Sequence, residues 1–231
     1  MSRSTLKTSA INAEIRKAQA AAAAPAVPAG KKATAKDKPA AAAPKGAGEI
    51  RIIGGAWKRT RLPVAQRPGL RPTPDRVRET LFNWLGQDLS GWRCLDAFAG
   101  TGALGFEAAS RGAASVQLVE SDAALVAQLH TLQQRLQATA MRVQRGDGVA
   151  ALKQAAPASL DLVLLDPPFD SDFFTPALQA AAQAVAADGF VYLEAPRAWN
   201  DEELAAWGLA VYRHLKAGAV HAHLLRRAVP L

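Results

Sequence analysis

The chain has 231 residues, 49% of them hydrophobic, which suffices for one domain of ordinary size with something to spare but is tight for two. No apolar run reaches the length of a membrane span and the start, MSRSTLKTSA, lacks the apolar stretch of a secretory signal, so the expectation is a soluble, cytoplasmic protein. One cysteine, Cys94, excludes an internal disulfide framework, and the four histidines His130, His214, His221 and His223 have no partner cysteines and no zinc spacing, so no metal is expected.

The net charge of +8 is unevenly spread: residues 1–48 carry +7, residues 49–80 carry +5 and residues 81–231 carry −4. Residues 1–48 form an Ala/Pro/Lys tail with almost nothing large to bury, expected to be disordered with diffuse affinity for polyanions. The remainder, 49–231, is expected to be one domain, made of a hairpin (49–70), a leading helix (71–90) and a core (91–231).

EIRIIGGAWKRTRLPV reads as two short strands around Gly54 and Gly55. Arg51, Trp57, Lys58, Arg59 and Arg61 interleave cations with an aromatic ring, a pattern that can grip phosphates and stack on a base. In LRPTPDRVRETLFNWLG, Thr73 is a candidate helix cap with Pro74 at the first position and Gly86 as the stop. Val77, Leu81, Phe82 and Leu85 make its apolar stripe, while Trp84 suits the core or its rim. Arg71, Arg76 and Arg78 would stand beside whatever pocket that helix borders.

From Trp92 onward, strands and helices alternate. RCLDAFA, SVQLVE, MRVQRGD, LDLVLLDPP and GFVYLEAP read as strands. ALGFEAASRG, DAALVAQLHTLQQRLQA, GVAALKQAA, DFFTPALQAAAQAVA and DEELAAW read as helices, and AVYRHLK with VHAHLLRR as a closing hairpin around Gly218. His221 and His223 alternate in that hairpin, so they share a face. The alternation predicts an α/β fold, a mainly parallel sheet with helices on both faces and an antiparallel C-terminal addition.

Ligands of such sheets gather beyond the C-terminal strand ends, where the unusual residues of this chain fall. The first core strand runs into Asp96, Phe98, Gly100, Thr101, Gly102 and Gly105, a glycine loop that alone also fits a dinucleotide. Asp96 ahead of the loop would repel a pyrophosphate but suits a ligand with a cationic ammonium group. Glu120, followed by Ser121, can accept from both hydroxyls of a ribose, and Asp147, followed by Gly148, can accept from an adenine amine or be a plain turn residue. Asp166-Pro167-Pro168-Phe169 is the strongest signal. Prolines lack N–H groups and keep the path stiff, so the Asp166 carboxylate and the Pro167 carbonyl can act as paired acceptors for an exocyclic amine, with Phe169 stacked on its ring.

These motifs resemble those of the class I methyltransferases that modify exocyclic amines of nucleic acid bases. RIIGGAWKRTRL, LRPTPDRVRETLFNWL, DAFAGTGALGFEAASRGA, LDPPF and VYRHLKAGAVHAHL, in that order over about Glu49 to Arg227, narrow the resemblance to the RsmD-type enzymes. The resemblance implies a seven-stranded Rossmann-like sheet with an N-terminal hairpin and helix, and S-adenosylmethionine as donor. It further implies N2 of a guanine in 16S ribosomal RNA as the acceptor, within the 30S subunit or an assembly intermediate; the chain is expected to be a monomer. Three alternatives stay open: an adenine-N6 enzyme on another nucleic acid, a nicotinamide-dependent oxidoreductase built on the glycine loop, and a non-catalytic RNA-binding assembly factor.

Overall fold

The sheet has seven strands in the order β5-β4-β3-β6-β7-β9-β8. It was described in a computed structural model that covers residues 48–65 and 73–228, all within a single structural unit. Arg71 and all of the tail before Gly48 lie outside the described residues. The strands are β3 (Arg93–Asp96), β4 (Ser115–Glu120), β5 (Met141–Arg145), β6 (Leu160–Leu165), β7 (Val185–Ala195), β8 (Leu209–Ala217) and β9 (Val220–Arg227). β5, β4, β3, β6 and β7 are mutually parallel, and β9 runs antiparallel to both β7 and β8. The final hairpin therefore adds two antiparallel strands, and its second strand is the inner one.

The helices between them are α2 (Ala103–Ser110), α3 (Ala123–Arg135), α4 (Gly148–Gln154), α5 (Phe174–Ala184) and α6 (Asp201–Ala205), preceded by α1 (Asp75–Leu85). They divide between the faces, as expected for a sheet whose strands read as continuous apolar runs. Val77, Leu81 and Phe82 of α1 join Phe106, Leu129 and the sheet residues Cys94, Leu162, Leu164 and Tyr192 in one core. Leu152, Leu178 and Leu204 join Leu95, Val163, Leu193 and Leu225 in the other. Cys94 is buried, and the apolar surroundings push its thiol pKa up to about 12, as an inert core residue.

A short antiparallel pair, β1 (Glu49–Arg51) and β2 (Arg61–Pro63), precedes the sheet, in the register Ile50↔Leu62 and Arg51↔Arg61. It is not a free-standing appendage. Ile50, Ile52 and Leu62 are buried in the first core, and a buried carboxylate on α2 clamps the turn. Glu107 accepts the backbone N–H groups of Ile53 and Gly54, both at 2.8 Å. Ser110 adds a bond from the Trp57 N–H to its hydroxyl at 2.9 Å. Gly55, at φ 73°, fits only because it lacks a side chain: a Cβ there would lie 1.8 Å from the Ser110 carbonyl oxygen.

Three details differ from the sequence reading. Thr73 does not cap α1. Pro74 holds the cap position without a side-chain bond, and the Thr73 hydroxyl turns to the carboxylate of Glu194 instead. Arg78, expected beside the pocket that α1 borders, is fully buried, 2.6 Å from Asp75 and 3.4 Å from Glu107, and donates to the Arg51 carbonyl at 2.8 Å. β7 begins at Val185, because Val185 pairs with Leu160 before the register shifts between Leu160 and Leu162, whereas alanine-rich sequence alone favours extending the helix.

Candidate active site

The strand order reverses between β3 and β6: β4 and β5 follow β3 on one side, and β7 lies beyond β6 on the other. Such a switch point opens a crevice at the carboxyl ends of the strands. A cavity of about 590 Å³ lies there. Asp96, Phe98, Gly100, Thr101, Glu120, Ser121, Asp147, Gly148 and Asp166 through Phe169 all line it, so the structure brings together every candidate cofactor and catalytic residue except Gly102. Gly102 serves packing: at φ 79°, it starts α2 where a Cβ would meet Leu129 at 2.6 Å.

The geometry of each residue follows from its strand end. Asp96 is the last residue of β3 and only 1% exposed. Its Oδ2 accepts the Gly105 N–H at 3.1 Å, and its Oδ1 is buried with no partner among the described residues. Burial, opposed by the N–H groups of Gly105 and Phe98 and reinforced by the charges of Glu120 and Glu194, pushes its pKa up to about 7. Glu120, the last residue of β4, is held by the N–H groups of Gly100 and Asp122, both at 2.8 Å, which fixes its orientation toward the cavity. Asp147 is the N-cap of α4, one oxygen accepting the Ala150 N–H at 2.7 Å, so its turn role is real and its place on the wall additional. Gly148 has no room for a side chain, since a Cβ would lie 1.9 Å from the Ala97 carbonyl oxygen.

Across the switch point, Asp166 follows the last residue of β6. Neither its carboxylate nor the Pro167 carbonyl accepts a hydrogen bond from the described residues, whereas the Pro168 carbonyl is engaged by the Ser171 N–H at 3.1 Å. Burial, with the charges of Glu194 and Asp96, holds the Asp166 carboxyl well above the usual carboxylate range. Phe169 lines the cavity, with Phe173 as a second aromatic, 5.8 Å from the Phe98 ring and 38% exposed.

Two site residues escaped sequence reasoning. Glu194, near the end of β7, is 3% exposed, lines the same cavity and accepts the Tyr192 hydroxyl at 2.9 Å. Burial raises its pKa, while the hydroxyls of Thr73 and Tyr192 and the charge of Arg78 pull it back. Phe173 was read only as helix sequence. An acid ending an apolar strand, as in VYLEAP, was the available signal for Glu194.

The candidate RNA-binding residues separate into two kinds. Arg51, Lys58, Arg59, Arg61 and Arg76 are exposed, with Arg51 3.8 Å from Asp75 and Arg61 2.9 Å from Glu49. Lys58 and Arg59, at the hairpin tip, have no ion pair among the described residues. Trp57 is half-buried and packs edge-on against Phe106, with ring centroids 6.4 Å apart, so it anchors the hairpin to the body. Thr73 and Pro74 line the cavity, which places the start of α1, and Arg76 near it, at the rim.

The buried Asp96 oxygen without a partner among the described residues can accept from a cationic group and would oppose a pyrophosphate. Comparison with known proteins agrees. Ribosomal RNA small subunit methyltransferase D of Escherichia coli (strain K12) is 50% identical over 124 residues, 54% of this chain and 62% of that protein. The enzyme of the same name from Haemophilus influenzae is 45% identical over 129 residues, 54% of this chain and 67% of that one. The match thus spans a little under two thirds of the Escherichia coli relative's length. Among solved structures, a protein described as the methyltransferase yhhF of Escherichia coli is 34% identical with a TM-score of 0.66, over 79% of this chain and 100% of that one. A Haemophilus influenzae protein described as a methylase is 31% identical with a TM-score of 0.64 over the same shares. The family model described as conserved hypothetical protein 95 matches residues 50–226, and the chain belongs to that family, the one of the RsmD-type methyltransferases.

Proposed function

We propose that this protein transfers a methyl group from S-adenosylmethionine to the exocyclic N2 of a guanine in small-subunit ribosomal RNA. One observation carries the reading: three adjacent strands, β3, β6 and β7, end in acids on one cavity, of which Asp96 and Glu194 are buried, Asp96 keeps an orphaned oxygen, and the half-buried Asp166 has a carboxylate with no hydrogen bond among the described residues.

The donor, when bound, supplies an electrophilic methyl group. Asp96 would hold its ammonium group, Glu120 would accept from its ribose hydroxyls, and Ser121, Asp147 and Gly148 would border its adenine. Phe98, Gly100 and Thr101, which line the same cavity, would complete its site. Asp166 and the Pro167 carbonyl accept the hydrogens of the target amine, which turns its lone pair out of conjugation with the ring, and Phe169 stacks on the base. Pro168 keeps the turn rigid. Exposed Arg51, Lys58, Arg59, Arg61 and Arg76 meet the RNA backbone beside the cavity, within a small subunit or an assembly intermediate.

Incubation with labelled S-adenosylmethionine and small ribosomal subunits from cells lacking the protein, followed by nucleoside mapping, tests this. N2-methylguanosine is the expected product. N6-methyladenosine, or no transfer at all, would refute the assignment.

A further inference from the structure

Of the acids that line the cavity, five stand at or just after strand ends and follow the order of the sheet: Asp147 after β5, Glu120 at β4, Asp96 at β3, Asp166 after β6 and Glu194 at β7. The proposed function assigns the first three to the donor and Asp166 to the target amine. Glu194 has no task there.

Its placement is specific. The parallel register Leu164↔Tyr192 and Leu165↔Leu193, carried one residue further, sets Asp166 beside Glu194 on neighbouring strands, about 5 Å apart at the backbone. Alternate residues of a strand share a face, so Asp166 and Glu194 lie on the same side of the sheet as Leu164 and Tyr192. The residue opposite Glu194 on β9 is the small Ala222, and both Asp166 and Glu194 line the cavity. Two donors already point at Glu194, the hydroxyls of Tyr192 and Thr73, and the positive charge of Arg78 acts on it. A carboxyl group so served is kept as an acceptor, at the cost of burying it 3% exposed beside two other acids. A purely structural tie between Tyr192 and Thr73 would need no charge on a cavity wall.

Two adjacent acceptors select for two adjacent donors. On the Watson–Crick edge of guanine, N1–H and the N2 amine are such a pair. Adenine offers an amine beside an N1 lone pair, which a carboxylate repels. We infer that Glu194 is the residue that selects guanine, its carboxylate accepting the N1–H while Asp166 and the Pro167 carbonyl accept from N2. This rests on the guanine-N2 reading above.

The test uses the full chain and small-subunit RNA carrying either guanine or 2-aminopurine at the methylated position. 2-Aminopurine keeps the N2 amine but presents a lone pair at N1. The wild-type protein is expected to lose about 10- to 100-fold in kcat/KM on 2-aminopurine. In Glu194→Gln the side-chain amide can donate to that lone pair, so the guanine to 2-aminopurine ratio is expected to fall at least about tenfold while the affinity for S-adenosylmethionine stays unchanged. A structural role would lower both rates and leave the ratio alone. An unchanged ratio in Glu194→Gln overturns the inference. So does a wild-type protein that methylates both bases equally, a result that holds even if the variant does not fold. Absence of any guanine-N2 transfer by the wild type would instead overturn the underlying reading as well.

Discussion

The Oε1 of Glu107 accepts the backbone N–H of Gly54 at 2.8 Å, across 53 residues of sequence. The same carboxylate lies 2.8 Å from Arg111 and 3.4 Å from Arg78, and all three side chains are buried. The hairpin that carries the exposed cations is thereby fastened to the helix that follows the glycine loop.

Removing that carboxylate leaves two buried guanidinium groups and two backbone donors short of a partner. Glu107→Ala is expected to destabilise the protein by about 3–5 kcal/mol. Urea unfolding measures the loss, and limited proteolysis should cut first within residues 52–60. A loss below about 1 kcal/mol would mean that the clamp is dispensable.

Asp96 gives a prediction with a sign. Its folded pKa, about 7, lies above the unfolded value, so the native state binds the proton more tightly. The stability this contributes is full below about pH 4 and is lost as pH rises through 7. Asp96→Asn is therefore expected to melt higher than the wild type at pH 8, by at most about 4 kcal/mol, and level with it near pH 4. The same variant should bind S-adenosylmethionine at least about tenfold more weakly, because the ammonium group loses its counter-charge. Thermal melts across pH and calorimetric titration read the two effects, and a variant that binds the donor normally would remove Asp96 from its site.

Asp166→Ala is expected to lower kcat by about 100-fold or more while the dissociation constant of S-adenosylmethionine changes less than about threefold. The substitution removes the acceptor for the amine and leaves Asp96 and Glu120 in place. Single-turnover transfer and equilibrium binding, measured on one preparation, separate the two steps. Comparable turnover would refute the role.

The ionised forms of Asp96, Asp166 and Glu194 are the ones that accept from ligand, and burial raises the pKa of all three. Methyl transfer should fall as pH drops from 8 toward 6, as Asp96 takes up a proton near pH 7, and protonation of Asp166 or Glu194 acts in the same direction. A rate flat over that range would show that bound ligand is recognised by the neutral acids.

At the hairpin, Lys58→Ala with Arg59→Ala is expected to weaken RNA binding and to reduce the slope of log affinity against log salt by about 0.7 for each single-strand phosphate that the variant no longer neutralises. Arg61→Ala should matter less, because Arg61 is already engaged by Glu49 at 2.9 Å. A slope unchanged in the double variant would show that the tip grips no phosphate.

Much of this site was legible before any fold was known. Asp96, Glu120 and Asp166 each end an apolar run, which marks a strand end with little ambiguity because burial on both faces demands continuous apolar residues, whereas Asp147 is marked by the glycines on either side of it after the alternating strand MRVQR. The stripe Val77, Leu81, Phe82 and Leu85 is equally local, since a helix repeats its face every three to four residues.

What the sequence could not settle was which distant groups meet. Sequence places Arg78 beside a pocket, and only the approach of α2 to the hairpin makes it a partner of Glu107. Thr73 looked like a helix cap, yet it serves Glu194, a residue 121 positions away that sequence reasoning passed over. Local rules fix where an element begins and which face it buries, whereas hydrogen bonds between elements depend on strand order, and strand order is decided by how the whole chain covers its two cores. The row of acids exists because β6 and β7 lie beside β3 in the sheet, an adjacency that no spacing along the chain records.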